Sequence, residues 1–158
     1  MNKLICKNKH RNIAIILIIA MFFIGDRILK ALALQQFEAK SLFGELFLFN
    51  FTKNFNISFS LPLSGPILNI IIAAIILGLI YIIYKLILKE KCLSSKSLLL
   101  TFILFGAISN MADRLLYGYV IDYLELKYFT VFNLADAMIS FGVISLIFNL
   151  VKDKRYVE

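Results

Sequence analysis

Histidine is almost missing from this 158-residue sequence: His10 is the only one, and it sits in a basic tail. Cysteine is scarce too, with Cys6 and Cys92 alone, and tryptophan is absent. A structural or catalytic zinc site draws on about four ligands, mostly Cys and His, so the common kind cannot be assembled. Ser–His or Cys–His nucleophilic catalysis needs a positioned base, and His10 is poorly placed to be one. Charge is also sparse. Charged residues make up 17% of the chain and hydrophobic ones 61%, against about 25% and roughly 45–50% in soluble domains. That excess is too large for one soluble core, and it excludes disorder, whose mark is low hydrophobicity. The formal net charge is +7, but Lys and Arg cluster at the ends of apolar runs. That argues against a soluble nucleic-acid binder, and no nucleic-acid partner is expected.

What is present is apolar sequence in blocks. A membrane-spanning helix takes about 20 mostly apolar residues. Four segments qualify, roughly 12–32, 67–88, 97–117 and 134–151. The second carries no charge between Asn54 and Tyr84. The charge-free parts of the others run Asn12–Gly25, Ser97–Ala112 and Ala137–Val151. Each reaches full length only by taking in Asp26, Asp113 or Asp136 near one end. The expectation is one integral membrane domain over 1–158, with four transmembrane helices.

Short basic loops stay in the cytoplasm. Lys3, Lys7, Lys9 and Arg11 precede the first segment. Lys85, Lys89, Lys91 and Lys96 lie between the second and third, and Lys152, Lys154 and Arg155 follow the fourth. These eleven basic residues fall on one side of a four-helix topology and the other six on the opposite side, so both termini are expected to be cytoplasmic. Cys6 and Cys92 then face a reducing compartment, and no disulfide is expected. A competing reading takes the first segment and Ala31-Leu32-Ala33 as a cleavable signal peptide. Asp26, Arg27 and Lys30 would crowd that cleavage region, and removing the segment would break the charge bias.

This orientation gathers Asp26, Asp113, Asp122 and Asp136 at the outer surface. The outer segment 41–61 alternates Phe47, Phe49, Phe51 and then Phe55, Ile57, Phe59, Leu61. Aromatic residues at period two indicate strands, with Thr52-Lys53-Asn54 as a candidate turn. A small β-sheet with one greasy face resting on the bilayer is expected there.

Acids near a bilayer usually face the protein interior or a water-filled cavity. Asn133 and Asp136 also read as a helix cap with an acid three residues on, and Asp113-Arg114 as an interfacial ion pair. In the functional reading two carboxylates are brought together. They then share a proton, one acting as general base on water and the other as general acid. The spacing of Asp122 and Asp136 allows a loop that returns the chain beside itself. No H-E-x-x-H occurs, and Ser64-Gly65 has no histidine partner, so carboxylates remain the plausible catalytic groups.

The stretch Gly106-Ala107-Ile108-Ser109-Asn110-Met111-Ala112-Asp113-Arg114, followed by Gly118-Tyr119-Val120-Ile121-Asp122-Tyr123, resembles the signature of lipoprotein signal peptidase (signal peptidase II). Phe132-Asn133-Leu134-Ala135-Asp136 is similar to its second signature, Asp26 to Lys30 to its D-x-x-x-K, and Asn54 through Phe59 to its strand segment. The resemblance implies a bacterial cytoplasmic (inner) membrane aspartic endopeptidase with four helices, a small extracytoplasmic sheet cradle and a short outer helix. It implies no metal and no cofactor. Implied partners are membrane lipid and prolipoproteins carrying diacylglycerol on a cysteine, cut just before that cysteine, with globomycin as inhibitor. The family's catalytic aspartates correspond to Asp122 and Asp136. Supporting or substrate-binding positions correspond to Asp26, Lys30, Asn54, Gly106, Asn110, Asp113, Arg114, Asn133 and Ala135. Asn110 and Arg114 are expected to hold loop and substrate backbone. The sequence departs from the pattern at Arg27 (usually Gln), Asn56 and Ser109 (commonly Gly) and Ala137 (commonly Ser). Two other classes fit acids near a membrane: an ion-relay or transporter subunit, and a non-enzymatic assembly protein.

Overall fold

The computed structural model describes residues 9–35, 38–44, 46–55, 65–128 and 130–155. Its helices are α1 (Lys9–Leu34), α2 (Pro66–Glu90), α3 (Ser95–Tyr117) and α4 (Leu134–Arg155). All four are long and apolar enough to cross a membrane. Strands β1 (Lys40–Phe43) and β2 (Phe47–Asn54) lie between α1 and α2, and β3 (Val120–Leu126) and β4 (Thr130–Phe132) between α3 and α4. They form one antiparallel sheet in the order β1-β2-β3-β4.

Local chemistry fixes the helix ends that matter. Pro66 occupies the first turn of α2, where a missing N–H costs nothing. Ser94 caps α3, its hydroxyl accepting from Ser97 N at 3.2 Å. At the other end Gly118 adopts φ 80° and donates to Arg114 O at 3.1 Å. That left-handed cap is glycine's role, and it turns the chain out of α3 straight into β3.

Edge-to-face rings staple the bundle: Phe22 on Phe102, Phe23 on Phe105, and Phe102 on Phe141. These join α1, α3 and α4 through α3. The buried apolar cluster lies elsewhere, where the sheet meets the helix ends. Ala33, Ile121 and Tyr123 form it, with Leu29, Phe49, Phe51, Tyr119, Leu124 and Leu134 packed around them. Along the membrane spans the apolar side chains mostly point outward, as a lipid solvent allows.

Two expectations need correction. Thr52-Lys53-Asn54 is no turn: these residues continue β2 and pair with Asp122, Ile121 and Val120, after a register shift between Phe49 and Thr52. Such a bulge lets a strand keep pairing while its twist changes. The second alternating run, beyond Phe55, lies outside the described residues, as does Asn56, and no short outer helix occurs among the described residues. Cys92 is disulfide-bonded rather than reduced. Asn12 Nδ2 donates to Leu93 O at 3.0 Å, so the start of α1 and the α2–α3 loop meet at one end of the bundle. Proximity in the fold, which the charge of the loops does not report, decides whether a thiol meets a partner.

Candidate active site

Asp122 lies on β3 and Asp136 in the first turn of α4. Asn133 joins them. Its Nδ2 donates to Asp122 Oδ1 at 2.6 Å, and its Oδ1 accepts from Asp136 N at 2.8 Å. In return Asp136 Oδ2 accepts from Asn133 N at 3.4 Å. That exchange is a capping box, so the capping reading and the paired-carboxylate reading describe the same atoms. The other oxygen of Asp136 accepts from Asn110 Nδ2 at 2.8 Å. The other oxygen of Asp122 accepts from Asn54 Nδ2 at 2.9 Å, across the β2–β3 ladder.

Burial shapes Asp122 chemically. Its carboxyl is pushed up to about 7, first by loss of solvent and then by the charge of Asp136; Asn54, Asn133 and Lys30 oppose the shift. Near neutral pH it is therefore poised between acid and carboxylate, as a group working in both directions needs to be.

Beneath the pair lies a polar layer whose ionic centre, Asp26, Lys30 and Asp113, is buried. Lys30 Nζ pairs with Asp26 Oδ2 at 3.0 Å and Asp113 Oδ2 at 2.8 Å, and donates to Asn110 Oδ1 at 2.8 Å. Asn110 is thus oriented from below, which leaves its Nδ2 aimed at Asp136. The two lower aspartates also reach the backbone. Asp113 Oδ2 accepts from Ile121 N at 3.3 Å, and Asp26 Oδ1 from Ala135 N at 3.2 Å. Ile121 directly precedes Asp122, and Ala135 directly precedes Asp136. Asp113 pairs with Arg27 and Lys30 rather than only facing its neighbour Arg114.

The two small positions act through packing. A Cβ at Gly106 would stand 2.7 Å from Ala135 O and 2.9 Å from Ile139 Cγ1. Glycine therefore lets α3 approach α4 closely enough for Asn110 to meet Asp136, and Ala135 is buried at that contact. Arg114 Nη1 donates to Phe55 O at 3.4 Å, tying α3 to the chain leaving β2.

Tyr123 is a contributor that the sequence reading passed over. Its hydroxyl donates to Asp26 Oδ1 at 3.0 Å and accepts from Leu134 N at 3.1 Å. Burial, then the charge of Asp26, raises its pKa well above the ordinary phenol range, so it remains a donor. The available signal was its place next to Asp122 on a strand: successive side chains face opposite ways, and a buried tyrosine seeks a polar partner. Ser109 and Arg27, noted only as departures, also enter the polar layer.

Residues 18–152 match the family described as Signal peptidase (SPase) II. The chain belongs to the signal peptidase II family. Among curated relatives, a lipoprotein signal peptidase of Moorella thermoacetica is 53% identical over 51 residues, 32% of this chain and 34% of the relative. One of Chlamydia trachomatis is 54% identical over 55 residues, 32% and 33% of the two chains. One of Bartonella henselae is 44% identical over 77 residues, 44% and 47%. The matched stretches span about a third to a half of these relatives' length. The signal peptidase II assignment agrees with the fold. A solved bacterial membrane enzyme superposes with TM-score 0.77 at 24% identity, covering 92% of each chain. A second gives 0.71 at 25% identity, over 89% of this chain and 94% of the other.

Proposed function

We propose that this protein is a membrane aspartic endopeptidase that cuts diacylglyceryl-modified prolipoproteins before the lipidated cysteine, with Asp122 and Asp136 as its catalytic pair. The observation that carries this reading is the joining of both carboxylates through Asn133, with Asp122 pushed up to about 7. Membership of the signal peptidase II family supplies the substrate class.

In the mechanism, Asp122 carries the shared proton and Asp136 is ionised. Asp136 takes a proton from water as the water oxygen attacks the scissile carbonyl. Asp122 gives its proton to the carbonyl oxygen, leaving a neutral tetrahedral diol. Collapse breaks the C–N bond: Asp136 passes its proton to the departing cysteine nitrogen, and Asp122 recovers one from the diol. The products are a signal peptide with a new carboxyl end and a lipoprotein with a free α-amino group. Asn54, Asn110 and Asn133 fix the carboxylate planes throughout. Each needs only to hold orientation, which is a large part of catalytic power when reacting groups are pre-placed.

The reading also sets orientation: both termini and the α2–α3 loop on the cytoplasmic side of a bacterial inner membrane, the sheet and the aspartate pair outside. A lipidated substrate then reaches the site by lateral diffusion, and globomycin-like peptides compete there. An ion relay would call for a polar path through the bundle. Among the described residues, the buried acids Asp26, Asp113 and Asp122 gather at the sheet end instead.

The test is cleavage of a diacylglyceryl prolipoprotein by purified protein in detergent, with and without chelator and globomycin. Cleavage by wild type that resists chelator and vanishes in folded Asp122→Asn and Asp136→Asn supports the reading. Inactive, well-folded wild type overturns it.

A further inference from the structure

Two buried carboxylates, Asp26 and Asp113, support the aspartate pair from below, and the single buried ammonium of Lys30 lies between them. Charges taken out of water need partners, and Lys30 alone sets one positive charge against two negative ones. Arg27 provides the second cation from the adjoining position of α1. Its Nη1 pairs with Asp113 Oδ1 and also donates to Ser109 O at 3.3 Å and Ser109 Oγ at 3.4 Å. Ser109 Oγ in turn donates to Asp26 Oδ2. The Arg27 side chain is 29% exposed, so this cation closes the cluster at its open edge. Neither Arg27 nor Ser109 is among the positions that the family resemblance supplies.

We propose that Arg27, working through Ser109, is a positioning residue for the aspartate pair. It supplies the second cation of the Asp26–Lys30–Asp113 cluster, and so governs how Asp113 holds the backbone ahead of Asp122 and the field in which the pair exchanges protons. The inference rests on the peptidase reading.

The surrounding groups set the sign. α1 brings Asp26 and Lys30 to this region, α3 brings Asp113 and Arg114, β3 brings Asp122 and Tyr123, and α4 brings Asp136. On β2, Lys53 stacks over Tyr119, and neutral Asn54 meets Asp122. Removing the guanidinium charge leaves an excess of negative charge beneath the pair. Protons are then held more tightly, and the pH–rate profile of cleavage moves to higher pH. A merely structural loss lowers the rate and leaves the profile where it is.

The experiment measures cleavage of a diacylglyceryl prolipoprotein across pH for wild type, Arg27→Gln, Arg27→Lys, Asp113→Asn and the Arg27→Gln/Asp113→Asn double variant. Arg27→Gln is expected to lower kcat several-fold with little change in KM, and to move the profile up by about half a pH unit, the order expected for loss of a nearby charge that solvent partly screens. Arg27→Lys keeps the wild-type profile. Asp113→Asn moves it down, and the double variant returns it toward wild type. An Arg27→Gln profile that overlays wild type overturns the proposal. Should Arg27→Gln fail to fold, an unmoved Asp113→Asn profile overturns it equally. Wild type that does not cleave at all would instead remove the peptidase reading.

Discussion

Helices α2 and α3 are near equals in length, 25 and 23 residues, and both are apolar enough to cross a membrane. Their surroundings differ sharply. Within the apolar span of α2 6% is buried inside the protein, against 44% for α3. α3 carries Gly106, Ser109, Asn110, Asp113 and Arg114 on faces that meet α1, α4 and the sheet. α2 offers lipid a nearly continuous apolar coat, Ile67, Ile70, Ile75, Leu77 and Ile82 among it. The lesson is that membrane helices of similar hydropathy divide their labour by where polar and small residues fall. A helix bordered by protein on several sides can afford buried ions, because every ion finds partners.

That contrast can be broken in order of effect. The greatest loss is expected at the aspartate pair that α3 and β3 support: Asp122→Asn or Asp136→Asn cuts the cleavage rate by at least about a hundredfold, the usual cost of losing general acid–base catalysis, with circular dichroism unchanged. Next comes Lys30→Met. Breaking a buried ion pair by removing one partner costs about 3–5 kcal/mol, so thermal unfolding in detergent drops steeply and activity goes with it. Third is glycine exchange. Gly106→Val drives a side chain into Ala135 O and Ile139, with an overpacking cost of about 1–3 kcal/mol and a further loss of kcat as Asn110 leaves Asp136. Gly78→Val on α2 meets nothing within 4 Å and leaves both Tm and kcat within error. Equal damage at both glycines would erase the distinction between the helices.

The smallest effect sharpens the picture through pH. Asp122 titrates near 7, so above that pH the pair loses its donor and cleavage falls about tenfold per unit. The same shift has a stability consequence. A carboxyl raised in the folded state contributes stability below its ordinary range near 4 and loses that contribution as pH rises to about 7. Tm of wild type therefore declines between about pH 4 and 7 through this group, and Asp122→Asn flattens the decline.

Some of the molecule was open to reading in one dimension. Four apolar runs announce four helices, because a bilayer demands length and hydropathy before anything else. Phe47, Phe49 and Phe51 announce a strand by period two. Asn133 and Asp136 announce a capped helix start, and the acids Asp122 and Asp136, which the resemblance marks, are joined through Asn133. The turn assigned to Thr52-Lys53-Asn54 failed for a reason of the same kind. Polar residues there suggest a break, but their pairing is decided by β3, distant in sequence, whose Asp122, Ile121 and Val120 they meet.

What the sequence determined by itself, then, is whatever depends on local composition: spans, strand periodicity, helix caps, and the acids at one end of the bundle. Tertiary structure alone decided the partners. Asp26 grips the backbone ahead of Asp136, and Asp113 the backbone ahead of Asp122, over sequence separations of 109 and 8 residues. Lys30 stands between them, and Cys92 is bonded rather than free. The physical reason is that hydrogen bonds are short-ranged and directional, and a buried ion pair is favourable only at contact with its hydrogen bonds satisfied. Which carboxylate meets which cation is therefore fixed only when Gly106 lets α3 close on α4, and when β3 folds back over the end of α1.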